Sequence, residues 1–480
     1  MSTVTFAAAA LQARVRSGRA ASGVTRALPA ADETSRSTRR IALASMIGTT
    51  IEYYDYLIFG TAAALVFGQV FFPQLGGATG ALAALASLAV AFIFRPIGSV
   101  LFGHIGDRLG RKSTLIITLL LMGLSTVAVG LLPSAATIGV AAPILLVLLR
   151  AFQGLAVGGE WAGAALFAAE SAPAHRRGRF GAFPQLGTTV AFVLASLTFL
   201  VIYSIVGRAD GVFLEWGWRV PFLLSGVLIA VGLWVRLRTT ETPVFAAAAR
   251  TQRRSAIPFA DVWRRQPRTV LLTVGVMTGI FACISIGSVY LTNYATSAGG
   301  LGLSEPTALV MNVVAGLATG LTTVLSARWS DRFGRRRIIL GASVALVGWS
   351  LVMFPLMGSG SLAAFGTGLV VLMALIGLAY GPVAAYLPEA FPTAYRYTGT
   401  GLTYNLGGVA GGGVALVVAP LLAGSGAGTL AIGIYLAVMM LVTVGCLLAL
   451  PETKDASLTD PGSAAARSSP IASLGNRGPI

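Results

Sequence analysis

Two stretches decide the fold: Gly103-His104-Ile105-Gly106-Asp107-Arg108-Leu109-Gly110-Arg111-Lys112 and Arg328-Trp329-Ser330-Asp331-Arg332-Phe333-Gly334-Arg335-Arg336-Arg337. The pattern Asp-Arg-x-Gly-Arg-basic recurs at an offset of 224 residues, each time between two long apolar runs. Two further echoes accompany it. Glu170-Ser171-Ala172-Pro173 with Arg177 matches Glu389-Ala390-Phe391-Pro392 with Arg396 at an offset of 219, and Gln185-Leu186-Gly187 matches Asn405-Leu406-Gly407. A half-length repeat with matching loop motifs indicates two parallel halves around a central substrate route.

Outward from these motifs the chain is apolar. Of its 480 residues 55% are hydrophobic and 11% charged, against about 25% charged in ordinary soluble domains. Such a chain cannot cover a globule with charge, which excludes disordered, nucleic-acid-coating and secreted classes. Spanning a bilayer takes about 20 apolar residues, and twelve runs qualify: 41–72, 80–103, 113–133, 142–170, 180–205, 219–237, 269–297, 306–328, 338–357, 362–389, 397–424 and 428–450. The expected fold class is an all-α polytopic membrane protein with 12 transmembrane helices in two pseudo-symmetric six-helix halves, 41–237 and 269–450. A linker over 238–268 joins them, with disordered tails over 1–40 and 451–480. The Ala/Ser/Arg-rich first tail also fits a transit peptide. Cys283 and Cys446 lie inside apolar runs, so no disulfide framework or cysteine-based metal site is expected.

The net charge of +17 first suggests a polyanion partner. Thirty of the 34 Lys and Arg, however, fall in the tails and the even-numbered connections; Arg208 and Arg219 lie on the other side, and Arg95 and Arg150 inside spans. By the positive-inside rule both termini are cytoplasmic. The linker carries Arg-Arg pairs and a weakly amphipathic stretch near Phe259 to Trp263, expected to form short helices on the inner membrane surface. No aromatic–basic interleaving or zinc spacing supports nucleic acid binding.

The repeated loop motif resembles that of the major facilitator superfamily, over about residues 40–455. Within it the chain is similar to the metabolite:proton symporter family, which includes shikimate, α-ketoglutarate, citrate and proline/betaine permeases. The residues that carry this are Glu52-Tyr53-Tyr54-Asp55-Tyr56 with Gly60, Phe94-Arg95-Pro96-Ile97-Gly98, Arg150 with Gln153-Gly154 and Gly158-Gly159-Glu160, Trp216-Gly217-Trp218-Arg219 with Pro221-Phe222, and Glu241-Thr242-Pro243 with Phe245. The resemblance implies a monomeric inner-membrane transporter working by alternating access, with no cofactor and no metal, and with the proton gradient as energy source. It also implies that the loop motif latches the cytoplasmic side.

Elementary chemistry agrees about the latch. Asp107 and Arg108 lie where a helix end meets a tight turn, and Gly103, Gly106 and Gly110 allow close helix approach. An acid and a base there can bond a neighbouring helix and hold one side closed. The motif over Gly103, Asp107, Arg108, Gly110, Arg111 and Lys112 is the first candidate; Asp331, Arg332, Gly334 and Arg335 are the second. Simple topological anchoring is the alternative.

Five ionisable residues lie within spans: Glu52, Asp55, Arg95, Arg150 and Glu160, all in the first half. Each costs roughly 2.5–3.5 kcal/mol at mid-membrane, so each calls for a reason. Glu52 and Asp55, three apart, share a helix face and are the proton-coupling candidates with Glu160; neutralising Arg95 and Arg150 in fixed pairs is the alternative. Arg150 and Gln153 form a polar stripe, and a guanidinium at a cavity clamps a carboxylate bidentately. A small organic acid is therefore the most economical substrate, with Arg95, Tyr56 and Gln185 beside it and Tyr290, Asn293, Tyr380 and Asn405 as the opposite wall. Gly381-Pro382, Pro184 and the glycines around 407–413 read as helix breaks. A drug exporter of the same fold is the rival function, but the fifth span, Gly181-Ala182-Phe183-Pro184-Gln185-Leu186-Gly187, lacks the Gly-x-x-x-Gly-Pro element typical of such exporters. No Ser/His/Asp arrangement suggests an enzyme.

Overall fold

A computed structural model describes residues 31–109, 111–206, 211–238, 258–297, 299–392, 395–425, 428–454 and 456, with side chains outside 31–42, 44, 103–109, 111–115, 167, 171, 235–238 and 258–261. Residues 1–40 form one unit, helical over 31–40, and residues 41–480 another; the account below concerns the second. Both expected disordered tails fall largely outside the described residues, as do 239–257 of the linker.

Twelve helical spans follow one another, and no strand occurs among the described residues. α1 is Ala31–Ala62, running on through a π-turn at Ala63–Phe67 to Val70. α2 is Gly77–Leu109, α3 Arg111–Leu131, α4 Ala141–Val157 with Glu160–Ser171, α5 Arg177–Val206 and α6 Val220–Arg238. In the second half α7 is Pro267–Ser285 continued through a π-turn at Ile286–Tyr290 to Thr296, α8 Glu305–Phe333 and α9 Arg335–Met357. α10 is Leu362–Tyr380 with Val383–Ala390, α11 Arg396–Gly407 continued through a π-turn at Gly408–Gly413 to Gly424, and α12 Gly428–Ala449. All twelve coincide with the apolar runs of the sequence. Among the described residues ten qualify as membrane spans by length and composition, and α3 contributes a shorter apolar stretch, Ile116–Leu131. α1 carries Glu52 and Asp55 in its apolar part.

Leu124, Ile205, Leu317 and Leu321 stand exposed on the outer faces of these helices. Helices apolar all round, with their backbone bonds satisfied internally, are what a bilayer selects. Element ends follow local chemistry. Pro267 opens α7, Ser304 caps α8, and Gly334, at φ +105°, makes the tight join from α8 to α9; a side chain at Gly334 would also meet the Glu452 carboxylate.

The repeat seen in the loops extends into the helix irregularities. The π-turns of α1 and α7 lie 223 residues apart, and so do the breaks at Gly158-Gly159 in α4 and Gly381-Pro382 in α10. The wide turn in α11 has no partner in α5. There the expected break at Pro184 is absent: the proline sits inside a continuous helix, because loss of one backbone bond does not by itself end a span.

The halves meet along equivalent pairs, α5 on α8 and α2 on α11, with α1 against α7. Small residues set the approach. Gly316 and Gly320 of α8 face Phe192, Val193 and Thr189, and Gly408, Gly412 and Gly413 of α11 face the ring of Phe92. In the linker the helix Pro258–Arg265 packs onto the bundle, with Val262 buried against Val270, Phe391 and Leu402.

Candidate functional site

α2 and α4 cross so closely that a side chain at Gly154 or Gly158 would overlap the backbone of Ala91 or Arg95. This contact, built on two glycines one turn apart, brings Arg95 and Arg150 close to the ring of Tyr56 on α1. The Arg95 guanidinium lies 4.5 Å from the Phe92 ring centre and 5.4 Å from that of Tyr56; Arg150 lies 4.3 Å from Phe59 and 5.5 Å from Tyr56. Such ring contacts suit cations removed from water. Both arginines, Glu52 and Asp55 are buried.

A hydrogen-bonded chain joins acid to base. The Thr126 hydroxyl of α3 donates to Asp55 Oδ2 at 3.0 Å, Gln153 Nε2 donates to Thr126 Oγ1 at 2.7 Å, and Arg150 Nη1 donates to Gln153 Oε1 at 2.7 Å. Beside it lies a cavity of ≈ 10 Å³ lined by Glu52, Asp55, Tyr56, Arg95, Arg150 and Gln153, room for about one water. Asp55 Oδ1, the Tyr56 hydroxyl, Arg95 Nε and Arg150 Nε are buried around it with no protein hydrogen-bond partner. Buried polar atoms rarely stay unpaired, so these four leave hydrogen-bonding capacity at the cavity.

The structure thus brings together six of the sequence-derived candidates. The others lie elsewhere. Glu160 begins the second segment of α4, beyond the Gly158-Gly159 break, and does not line the cavity. Gln185 braces the centre, accepting from Trp161 Nε1 at 3.3 Å and donating to the Tyr380 carbonyl at 2.9 Å. The residues expected as the opposite wall, Tyr290, Asn293, Tyr380 and Asn405, do not line this cavity. Tyr290 stacks on Tyr294, and the other three close the seam between the halves.

That closure has two ends. Toward the arginine-rich end the hydroxyl of Tyr404 bonds those of Tyr53 and, at 2.7 Å, Tyr380, while the Trp161 ring stacks on Tyr404 at 3.5 Å between centres. Asn405 then donates to the Gly158 carbonyl and Tyr397 to that of Gly159, each at 2.6 Å, so the broken turn of α4 supplies acceptors that an intact helix would have used. At the other end Gly60 lies against Val289, and Asn293 donates at 2.9 Å to the carbonyl of Ala64, within the π-turn of α1. Contacts between the halves thus lie toward both ends of the cavity.

At the arginine-rich end the second copy of the loop motif spans the halves. Asp331 accepts from the backbone N–H groups of Gly178 and Arg179 at 2.8 and 3.0 Å and pairs with Arg335 at 3.0 Å. Glu389 lies between Arg177 at 3.8 Å and Arg335 at 3.5 Å and accepts from Thr453 at 2.8 Å. Glu170 pairs with Arg396 at 3.6 Å. Arg332 sits over the Phe333 ring, and its carbonyl accepts from Lys454. The first copy, favoured by the sequence, lies where the side chains of Gly103, Asp107, Arg108, Arg111 and Lys112, and Gly110 altogether, are outside the described residues.

Sequence reasoning missed three things. Thr126 sits in an apolar run with no motif to mark it. Tyr53 and Trp161 were passed over among other aromatics. The count of five ionisable groups within spans, all in the first half, also falls short: Glu389 and Glu305 are buried in α10 and α8, Glu389 because two arginines meet it.

A family model described as the major facilitator superfamily matches residues 45–415, with an overlapping match at 301–478. The chain is 42% identical over 425 residues to the inner membrane metabolite transport protein YhjE of Escherichia coli K12, covering 88% of this chain and 96% of that one. It is 38% identical over 417 residues to the shikimate transporter of the same organism, covering 85% and 92%. Among solved structures, the proton:xylose symporter XylE bound to 6-bromo-6-deoxy-D-glucose superposes with a TM-score of 0.71 at 19% identity, covering 91% of this chain and all of that one; that likeness is one of fold.

Proposed function

The chain belongs to the major facilitator superfamily, a family of transport proteins rather than enzymes, and we propose that it imports a small organic acid together with a proton. The observation that carries this reading is the chain from Asp55 through Thr126 and Gln153 to Arg150, beside a small cavity bordered by four polar atoms with no hydrogen-bond partner in the protein. While Asp55 is ionised, its charge balances Arg150. A proton on Asp55 neutralises the acid and leaves the guanidinium, with Arg95 also beside Tyr56, to bind a carboxylate in paired fashion. Proton and substrate anion therefore enter the same site in place of one another's charge. A proton and a monovalent anion together carry no net charge, so the pH gradient drives the pair: each pH unit supplies about 1.4 kcal/mol, enough to concentrate the acid about tenfold.

Several features support the remaining details. Shikimate, the cargo in one relative's name, is a carboxylate. The concentration of cations at one end supports a cytoplasmic position for that end, with the protein in the inner membrane and both termini inside. On this reading the cavity opens alternately as 41–237 and 269–450 rock about it, Asp331 and Glu389 holding the cytoplasmic seam.

The test is uptake of labelled shikimate, α-ketoglutarate, citrate and betaine into right-side-out and inverted vesicles, with and without a proton gradient. Accumulation of at least one acid that collapses when the gradient is dissipated is the expected result. Gradient-independent uptake overturns symport, and failure with every acid alongside dye efflux favours an exporter.

A further inference from the structure

The Thr126 hydroxyl carries one proton and faces two acceptors, Asp55 Oδ2 at 3.0 Å and the Met122 carbonyl at 2.9 Å. It also accepts from Gln153, whose amide has a fixed orientation because its oxygen is taken by Arg150. We propose that Thr126 is a positioning residue that couples the protonation state of Asp55 to the placement of Gln153 and Arg150. This deepens, and rests on, the reading of Asp55 as the proton carrier.

The hydroxyl can serve only one acceptor at a time. With Asp55 ionised, the proton points to the carboxylate, the stronger partner, and the polarised oxygen holds Gln153 the more firmly. When a proton from the aqueous phase settles on Oδ2, the new O–H donates to Thr126 and the threonine proton turns to Met122. Oγ1 then accepts twice and faces no charge. Its bond to Gln153 weakens, and the Gln153–Arg150 pair is released toward the cavity. No covalent bond other than the new O–H is made, and the proton leaves by the reverse path.

The groups facing Asp55 fit such a switch. Glu52 lies on α1 itself, Arg95 on α2, Thr126 on α3 and Arg150 with Gln153 on α4. Ser225 on α6 has its hydroxyl donating to the Phe222 carbonyl. Of these, Thr126 alone bonds both the acid and the glutamine that holds the arginine.

The experiment needs no substrate: infrared difference spectra between acidic and alkaline pH on the full chain in lipid. The carboxylic-acid band of Asp55 is assigned by its loss in Asp55→Asn, and the side-chain amide band of Gln153 by its loss in Gln153→Met. In wild type and Thr126→Ser both bands are expected to change with one midpoint. In Thr126→Val the acid band persists and the amide change is lost; Thr126→Ala gives the same readout should the valine variant not insert. An amide band that still follows the acid in the variants lacking the hydroxyl, or that does not move in wild type, overturns the proposal. If Asp55→Asn removes no pH-dependent acid band, the reading of Asp55 as proton carrier fails instead, whatever Thr126 does.

Discussion

Asp331 accepts the backbone N–H of Gly178 at 2.8 Å, so a carboxylate near the end of α8 caps the first turn of a helix in the other half. Gly178 is what allows it, since a side chain there would meet Ala327, Ser330 and Asp331 itself. A negative charge at a helix N-terminus contributes about 0.3–1 kcal/mol, and a lost cap costs about 1 kcal/mol. Asp331→Asn is expected to raise opening at this end about two- to fivefold, and Asp331→Ala about tenfold. The readout is thiol labelling of a cysteine placed at Ala327, buried in the closed seam. Equal labelling rates in all three proteins would remove Asp331 from the latch.

The Arg177–Glu389–Arg335 cluster makes a different prediction. Removing one partner from a buried ion cluster costs about 3–5 kcal/mol, whereas replacing the set with apolar residues is often neutral. Arg335→Met alone should lower the melting temperature in detergent by many degrees. The triple variant Arg177→Met, Glu389→Met, Arg335→Met should recover most of that loss and still transport poorly, because the seam no longer opens with its original balance.

Tyr404 joins three helices through its hydroxyl and carries the Trp161 ring on its face. Interhelical hydrogen bonds in membranes average about 0.6 kcal/mol, and Tyr404 makes two. Tyr404→Phe keeps the stack and should speed opening toward the arginine-rich end about threefold to tenfold, while Trp161→Ala should destabilise the closed state further. Hydrogen exchange of α11 backbone amides is the measurement. No change in Tyr404→Phe would leave the stack, rather than the hydroxyls, as the closure.

Arg150→Lys separates charge from shape. Lysine keeps the cation and loses the planar fork that meets a carboxylate in two bonds. For the acid that wild type accumulates, KM should rise about tenfold or more, the equivalent of 1.4 kcal/mol, with the proton requirement retained. An unchanged KM would mean that Arg150 does not touch the substrate.

Much of this was readable from residue order alone. Twelve apolar runs and the loop repeat specify the twelve helices, because in a bilayer each span must satisfy its own backbone whatever its neighbours do. The cluster of Glu52, Asp55, Tyr56, Arg95, Arg150 and Gln153 was legible too, since polar groups in apolar runs are costly and so stand out. Thr126 was not, because a threonine bonding its own helix at Met122 looks like any other; only the neighbouring helices give its oxygen further work. Tyr380 and Asn405, expected in the cavity wall, face the seam instead, and seam and cavity demand the same residue types. Pro184 misled for the converse reason: the packing of α5 on α8 outweighs one missing bond.

The acid–base pairs at the arginine-rich end are crossed. Glu170 of the first half takes Arg396 of the second, and Glu389 of the second takes Arg177 of the first, although each glutamate has its matching arginine a few residues along its own segment. This is the geometry of an isologous contact, where residue i meets j′ and i′ meets j, as between two identical subunits related by a twofold axis. The chain is in that sense a homodimer with its subunits fused. Either half expressed alone would expose an acid and a base whose partners lie on the missing copy, and would regain them by pairing with a second half of the opposite kind.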